Sequence, residues 1–420
     1  MNRTPKGMRW HIGLFGRRNV GKSSLLNALT RQQVSIVSEV AGTTTDPVEK
    51  PMELLPIGPV LFIDTAGVDD VGSLGTQRVE RTKQVFDRVD LGIVVAEGAE
   101  WGEFEDRILA ELIARETPAL VVFNKTDLGA PRSAALERLD GLGVPHVQTV
   151  AARAAGVLDL REALIRAAPD ELINAPSIVG DLVPPGELAV LVVPIDLEAP
   201  RGRLILPQVQ TIRDLLDHDA GCLVVKEREL RNALARLRRP PALVVTDSQA
   251  FREVAADTPP GVPLTSFSIL FARFKGDLPA LVRGTLAIDG LRPGDRVLVA
   301  EACAHHPIGE DIGRVKIPRW LTQHAGGPLE FVHVQGHDFP EDPGPFQLVV
   351  HCGACVANRR EVLSRLLRCR RAGVPMTNYG LTIAWSLGIL DRALVPFPPA
   401  LEALRRARAE QAGAGKEAPE

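Results

Sequence analysis

The stretch Gly16-Arg17-Arg18-Asn19-Val20-Gly21-Lys22-Ser23 fits the phosphate-loop pattern and lies between a strand candidate, Arg9–Phe15, and a helix-forming segment. No other segment restricts the fold so tightly, because such a loop works only where a strand's C-terminal end meets a helix N-terminus. There the glycines let backbone N–H groups turn inward around phosphates, and the helix adds its positive end. Lys22 would reach the β and γ phosphates, and the Ser23 hydroxyl would coordinate Mg²⁺. Gly16, Asn19, Val20, Gly21 and Ser24 complete the candidate phosphate cradle.

Two more motifs follow in the order that a guanine-nucleotide site requires. Asp64-Thr65-Ala66-Gly67 follows the apolar run Val60–Ile63, so Asp64 leaves a strand end where it can hold Mg²⁺ through water, while the Gly67 N–H faces the γ-phosphate. Asn124-Lys125-Thr126-Asp127 caps the apolar run Ala119–Phe123. The Asp127 carboxylate can accept from two N–H groups on guanine's Watson–Crick edge. Adenine does not present that pair, and a site built for it is left unsatisfied by the wrong base. A glycine-containing turn would explain the first motif alone, but three motifs at three strand ends point to a GTP/GDP site.

These residues resemble the Era and tRNA-modification branch of the translation-factor-like GTPases. Gly42-Thr43-Thr44-Thr45-Asp46 is similar to that branch's first switch. The resemblance implies Thr44 as a Mg²⁺ ligand beside Ser23 and Asp64, and Lys22, Thr44 and Gly67 as the catalytic set. Asn19 matches the phosphate-loop asparagine that in this branch helps to bind K⁺. Beside the leaving phosphates, K⁺ supplies the charge that an arginine finger supplies elsewhere. Val68 stands where other GTPases place a water-orienting glutamine, which implies slow intrinsic hydrolysis. The guanine-contacting loop reads Ala151-Ala152 in place of the usual Ser-Ala. That change removes a loop hydrogen bond and leaves the Ala152 N–H for the guanine oxygen.

A chain of 420 residues is too long for one compact core and suits two or three domains. Residues 1–172 alternate apolar runs with helix-period segments and predict a P-loop domain around a mostly parallel sheet, with further strands at Leu91–Ala96 and Pro145–Val150 and a closing helix at Val157–Ala168. Residues 173–186, rich in proline and glycine, read as a linker. A short α/β unit follows at 187–270, with strands at Leu188–Ile195, Gly221–Lys226 and Ala242–Thr246, small enough to need completion by a partner. A third α/β domain, 271–402, has strands at Val297–Ala300, Leu329–Val334 and Phe346–Val350 and a basic helix at Val356–Arg371; residues 403–420 read as a disordered tail.

Charge and composition narrow the partners. With 49 basic and 52 acidic residues, no strong field draws the chain to nucleic acid, and 4% aromatics leave little for base stacking. No run reaches the ~18–20 apolar residues of a membrane span, and Met1–Trp10 lacks a leader's apolar core, so a cytoplasmic location is expected. Five unevenly spaced cysteines then favour metal or cluster ligation over disulfides.

Cys303-Ala304-His305 follows one strand candidate of the third domain, and His351-Cys352-Gly353-Ala354-Cys355 follows another. If the two strands are parallel neighbours, these side chains collect at one sheet edge, where open α/β folds bind ligands. A helix opening at Val356 would aim its N–H groups at a bound anion. Spacing alone leaves two readings open: structural zinc through Cys3His, or an iron–sulfur cluster on three thiolates. Cys222 and Cys369 stand apart from the group.

The GTPase motifs joined to CxH and HCxxC resemble, over nearly the whole chain, the [FeFe]-hydrogenase maturation GTPases. Val193-Pro194-Ile195-Asp196, Ala199–Gln210 and Thr246–Ala250 are similar to that family's dimerisation domain, and Leu264–Ile269 and Thr377–Gly380 agree as well. The resemblance implies a P-loop GTPase domain, then a small α/β dimerisation domain, then an α/β domain that binds a [4Fe–4S] cluster through Cys303, Cys352 and Cys355. Three thiolates on four irons leave one position open to an exchangeable ligand, which His305 or His351 could fill weakly. It also implies a homodimer that carries a transient diiron precursor, assembled with two radical-SAM maturases, to apo-[FeFe]-hydrogenase. The rival reading from another class is an Era-like RNA- or ribosome-associated GTPase with a structural zinc site.

Overall fold

The computed structural model describes residues 4–30, 48–54, 58–65, 84–167, 177–194, 204–302 and 311–414, in two compact units, Met1–Ala175 and Pro176–Glu420. The first unit holds a six-stranded sheet built from β1 (Trp10–Phe15), β2 (Val48–Leu54), β3 (Gly58–Asp64), β4 (Leu91–Glu97), β5 (Ala119–Asn124) and β6 (His146–Gln148), in the order β2-β3-β1-β4-β5-β6. All pairs are parallel except β2 with β3. β1 is buried along its whole length, as a central strand covered on both faces must be. Its neighbours β3 and β4 lie on opposite sides, so the loop after β1 opens at the sheet's topological switch point. The antiparallel edge strand β2 was not expected from sequence. Its Pro51 and three charged residues weaken the apolar signal, and an edge position tolerates both.

The second unit contains two four-stranded parallel sheets. One runs β10-β9-β7-β8, from β7 (Leu188–Val192), β8 (Gly221–Val225), β9 (Leu243–Thr246) and β10 (Leu264–Ser266). The other runs β12-β11-β13-β14, from β11 (Arg296–Glu301), β12 (Glu330–Gln335), β13 (Leu348–His351) and β14 (Met376–Asn378). One hydrophobic core joins both sheets, with Val190, Phe271, Val349 and Leu404 among its members. The helix Phe267–Lys275 runs through that shared core, capped by Ser266, whose hydroxyl accepts from the Ile269 N–H at 3.3 Å.

Three expectations change here. The boundary expected at 270/271 falls inside the helix Phe267–Lys275, so the two later regions are not separate cores. The described part of the expected linker is packed: Ile178, Val179 and Val183 are buried, and proline and glycine around them had masked the apolar signal. The expected disordered tail is helical to Ala414. Leu401, Leu404 and Ala407 form one apolar stripe on the shared core, and Arg408 pairs with Asp391 at 2.9 Å.

Candidate functional site

The phosphate loop joins β1 to the helix Lys22–Thr30, as the sequence requires. Asn19 and Gly21 take positive φ, 64° and 93°, so backbone turns that L-residues resist are concentrated here. A Cβ on Gly21 would stand 2.3 Å from Asn124 Nδ2, and glycine is therefore obligatory. Lys22 Nζ donates to the carbonyls of Gly16 (2.7 Å) and Arg17 (2.8 Å). Arg17 is itself held by a bidentate pair with the buried Glu105.

Asp64 ends β3 beside Ser23, whose hydroxyl donates to Asp64 Oδ2 at 3.3 Å. Asp64 Oδ1 is buried and has no hydrogen-bond partner among the described residues. Burial pushes this carboxyl above its usual range, against the opposing pull of Lys22, Lys50 and the Ser23 hydrogen bond. An orphaned carboxylate oxygen next to a hydroxyl is a pair of hard oxygen donors, and it fits Mg²⁺. Thr44, Gly67 and Val68 lie outside the described residues.

Asn124 does a different job from Asp127. Its amide donates to Val20 O (2.9 Å), and its oxygen accepts from Thr149 Oγ1 (3.1 Å) and the Ala151 N–H (3.0 Å). It therefore ties the phosphate loop to the guanine-side loop. Ala151 is buried, and the exposed Ala152 follows it in a short turn. Lys125, at φ 57°, pairs with Glu97 at 2.9 Å, and Asp127 lies 3.6 Å from Arg153. Val20 is buried against the sheet, while Ser24 is exposed.

In the second unit, β11 and β13 are parallel neighbours, with Ala300 opposite His351, as the cysteine argument needed. β11 also sits at a switch point, between β12 and β13. Cys352 Sγ accepts from the Ala302 N–H (3.1 Å) and the Ala354 N–H (3.4 Å). Burial pushes this thiol up, and those two N–H groups pull it back. Lys275, almost fully buried, donates to the carbonyls of Ala354 (2.7 Å), Cys355 (3.1 Å) and Ala357 (2.7 Å). Burial lowers its pKa to about 8, opposed by Cys355, Cys352 and Glu361. A cysteine loop with inward N–H groups and a buried cation beneath it fits an anionic cluster. Among the described residues no three His, Cys, Asp or Glu side chains gather for a metal; Cys303, His305 and the rest of 303–310 lie outside them.

Two expectations at this loop are corrected. His351 has no nitrogen left for iron: Nδ1 donates to Cys352 O (2.8 Å) and Nε2 accepts from Arg365 (2.8 Å). Burial, with Arg365 adding to it, lowers its pKa to about 3, so the ring is neutral. The basic helix opens at Arg359 and not at Val356, and its N-cap Asn358 already accepts from the Glu361 N–H at 3.1 Å. Lys275 and Arg365 were missed from sequence. Lys275 had a signal, since it continues the Phe267, Phe271 spacing of a buried helix face. Cys369 is buried in the shared core and its thiol is pushed up to about 12 by burial; Cys222 packs against the same core.

The sheet order, the phosphate loop and the Ser23–Asp64 pair define a P-loop GTPase followed by further α/β structure. Residues 11–125 match the family model described as 50S ribosome-binding GTPase. Residues 178–276 match the hydrogen maturase F dimerization domain, and residues 279–396 match the hydrogen maturase F tetramerization domain. The chain belongs to the hydrogen maturase F family, with a GTPase domain ahead of its dimerization and tetramerization domains.

Relatives of the first unit include the tRNA modification GTPase MnmE of Heliobacterium modesticaldum, 40% identical over 31% of this chain and 28% of that protein. MnmE of Alkaliphilus oremlandii is 44% identical over 27% of this chain and 25% of that protein. The chain thus spans under a third of the length of these curated relatives. Among solved structures, the G domain of T. maritima FeoB is 25% identical (TM-score 0.31), covering 38% of this chain and 99% of that one. Era of Aquifex aeolicus is 20% identical (TM-score 0.33), covering 51% and 93%. Among the described residues, no helix is long and apolar enough to cross a membrane.

Proposed function

We propose that this GTPase is a cytoplasmic scaffold and carrier: it holds a [4Fe–4S] cluster on Cys303, Cys352 and Cys355 and delivers a diiron precursor to apo-[FeFe]-hydrogenase. The observation that carries the reading is the cysteine loop at the end of β13, where Cys352 Sγ receives two backbone N–H groups above the buried Lys275. Ala302, the residue before Cys303, supplies one of those N–H groups, which supports bringing the third thiolate to the same place. A three-cysteine [4Fe–4S] cluster supplies one iron position open to an exchangeable ligand. His305 is the remaining histidine candidate for that position. The diiron unit is cargo, received with the help of two radical-SAM maturases.

On the nucleotide side, Lys22 neutralises the phosphates, Ser23, Asp64 and Thr44 hold Mg²⁺, the Gly67 N–H meets the γ-phosphate, and Asp127 and the Ala152 N–H read guanine. Asn19, turned to positive φ within the loop, supports a K⁺ site, and Val68 in place of a glutamine supports slow intrinsic turnover. Self-association through residues 187–270 is supported by the edge strand β8 and by exposed Val209, Leu216 and Val224.

The test is a maturation assay. Anaerobically reconstituted protein, loaded by the maturases, should activate apo-[FeFe]-hydrogenase, and wild-type protein should contain iron and sulfide. One zinc with no iron would instead favour the ribosome-associated reading.

A further inference from the structure

Lys275 ends the helix Phe267–Lys275, within the segment matching the dimerization domain, yet its ammonium is buried under a loop of the segment matching the tetramerization domain. Three carbonyl acceptors, those of Ala354, Cys355 and Ala357, use all three donors of an –NH₃⁺ group, so the geometry requires the charged form. Between those contacts Ala354 is held at φ 53°, a left-handed conformation that alanine resists, and that turn aims its N–H at Cys352 Sγ. The same helix is held at each of its ends as well. Arg359 donates to Phe274 O at 2.7 Å, and Asn378, at the end of β14, donates to Ser268 O at 3.0 Å. The nearby buried carboxylate Glu361 is taken up by Arg365 and His337.

We propose that Lys275 is a positioning residue for the cluster site: it sets the left-handed turn of the Cys352–Cys355 loop and places a buried positive charge that raises the cluster's reduction potential. The proposal rests on the cluster reading above. It follows from two facts about charge: a reduced cluster carries one more negative charge than an oxidised one, and a fixed cation in a low-dielectric setting favours the more negative form. It also makes the dimerization segment a structural contributor to the cysteine loop.

The test uses the full-length protein, reconstituted anaerobically with iron and sulfide and titrated by electron-spin resonance. Lys275→Gln should keep a cooperative melt but lower the midpoint, so that the reduced-to-oxidised ratio at the wild-type midpoint falls about tenfold, or about 59 mV for one electron. Lys275→Arg should return it toward wild type. Cluster loss in Lys275→Gln that Lys275→Arg restores would also support the role. A wild-type midpoint in Lys275→Gln with its cluster intact would overturn the proposal. So would loss of both melt and cluster in both variants, which would reduce Lys275 to a core residue. Wild-type protein that holds no iron or sulfide would overturn the cluster reading itself, a result that needs no variant to recognise.

Discussion

The phosphate loop and the cysteine loop both follow a strand at a topological switch point, but they are shaped by different means. The phosphate loop is shaped mainly within its own motif: Gly21 permits a turn that a side chain would block, Lys22 donates to the Gly16 and Arg17 carbonyls, and Asn124 adds one bond from outside, to Val20 O. The cysteine loop is fixed from outside, by Lys275 and Arg365 reaching in from two other helices. A site written in contiguous backbone tolerates little change within its motif. One held by distant buried charges can also be lost through residues that no motif contains.

The largest effect that would break this comparison is at the thiols. Cys303→Ala, Cys352→Ala and Cys355→Ala should each abolish the visible thiolate-to-iron absorption and the bound iron, while Cys222→Ala and Cys369→Ala keep both. Full iron content in reconstituted Cys303→Ala would remove the cluster assignment. Next comes the base: Asp127→Asn should weaken GTP binding by about 1.5–3 kcal/mol, the worth of a charged hydrogen bond, and admit xanthine nucleotides. Equal wild-type affinity for ATP and GTP, read by calorimetry, would sink the guanine assignment.

Asn124→Ala separates the two kinds of construction. It leaves the buried Ala151 N–H and Val20 carbonyl without this partner, so the first unit should lose about 1–3 kcal/mol in denaturant melts, with iron content unchanged. A smaller effect is ionic. Hydrolysis should run several-fold faster in KCl than in NaCl at equal ionic strength, and identical rates would leave Asn19 as a loop residue only.

The smallest effect concerns Glu49 on the edge strand β2. Burial raises its carboxyl, but Lys6 and Arg88 outweigh burial and hold it below the usual carboxylate range. A depressed carboxylate contributes stability above its unfolded pKa, and that contribution is lost as pH falls through 4.5 toward the folded value. Glu49→Gln should therefore flatten the acid limb of the thermal melt slightly; superimposable wild-type and variant pH profiles would remove the contribution.

These contrasts explain what could be read in the sequence. The strands bearing Asp64 and Asn124 announced themselves because apolar runs stop at polar motifs. β2 did not, since Pro51 and its charges look like loop. β11 and β13 were legible as apolar runs, but their parallel pairing was only a condition of the cysteine argument, and the role of His351 was not legible at all. Its place beside a cysteine suggested a ligand, whereas Arg365, fourteen residues on in the next helix, decides where its nitrogens go. Lys275 reads as an ordinary basic residue closing a helix, and only packing reveals that its charge is inside.

The core that runs from Ile178 to Leu404 also sets a timetable for synthesis. The first unit's last described helix closes at Ala167, so that unit can fold while most of the second is still unmade. The second cannot finish until the helix Pro398–Ala414 leaves the ribosome, roughly 10–50 s later at 5–20 residues per second. Its contacts are long-range in sequence, which slows it further. A newborn chain therefore passes through a stage with a folded first unit and an unfinished cysteine loop.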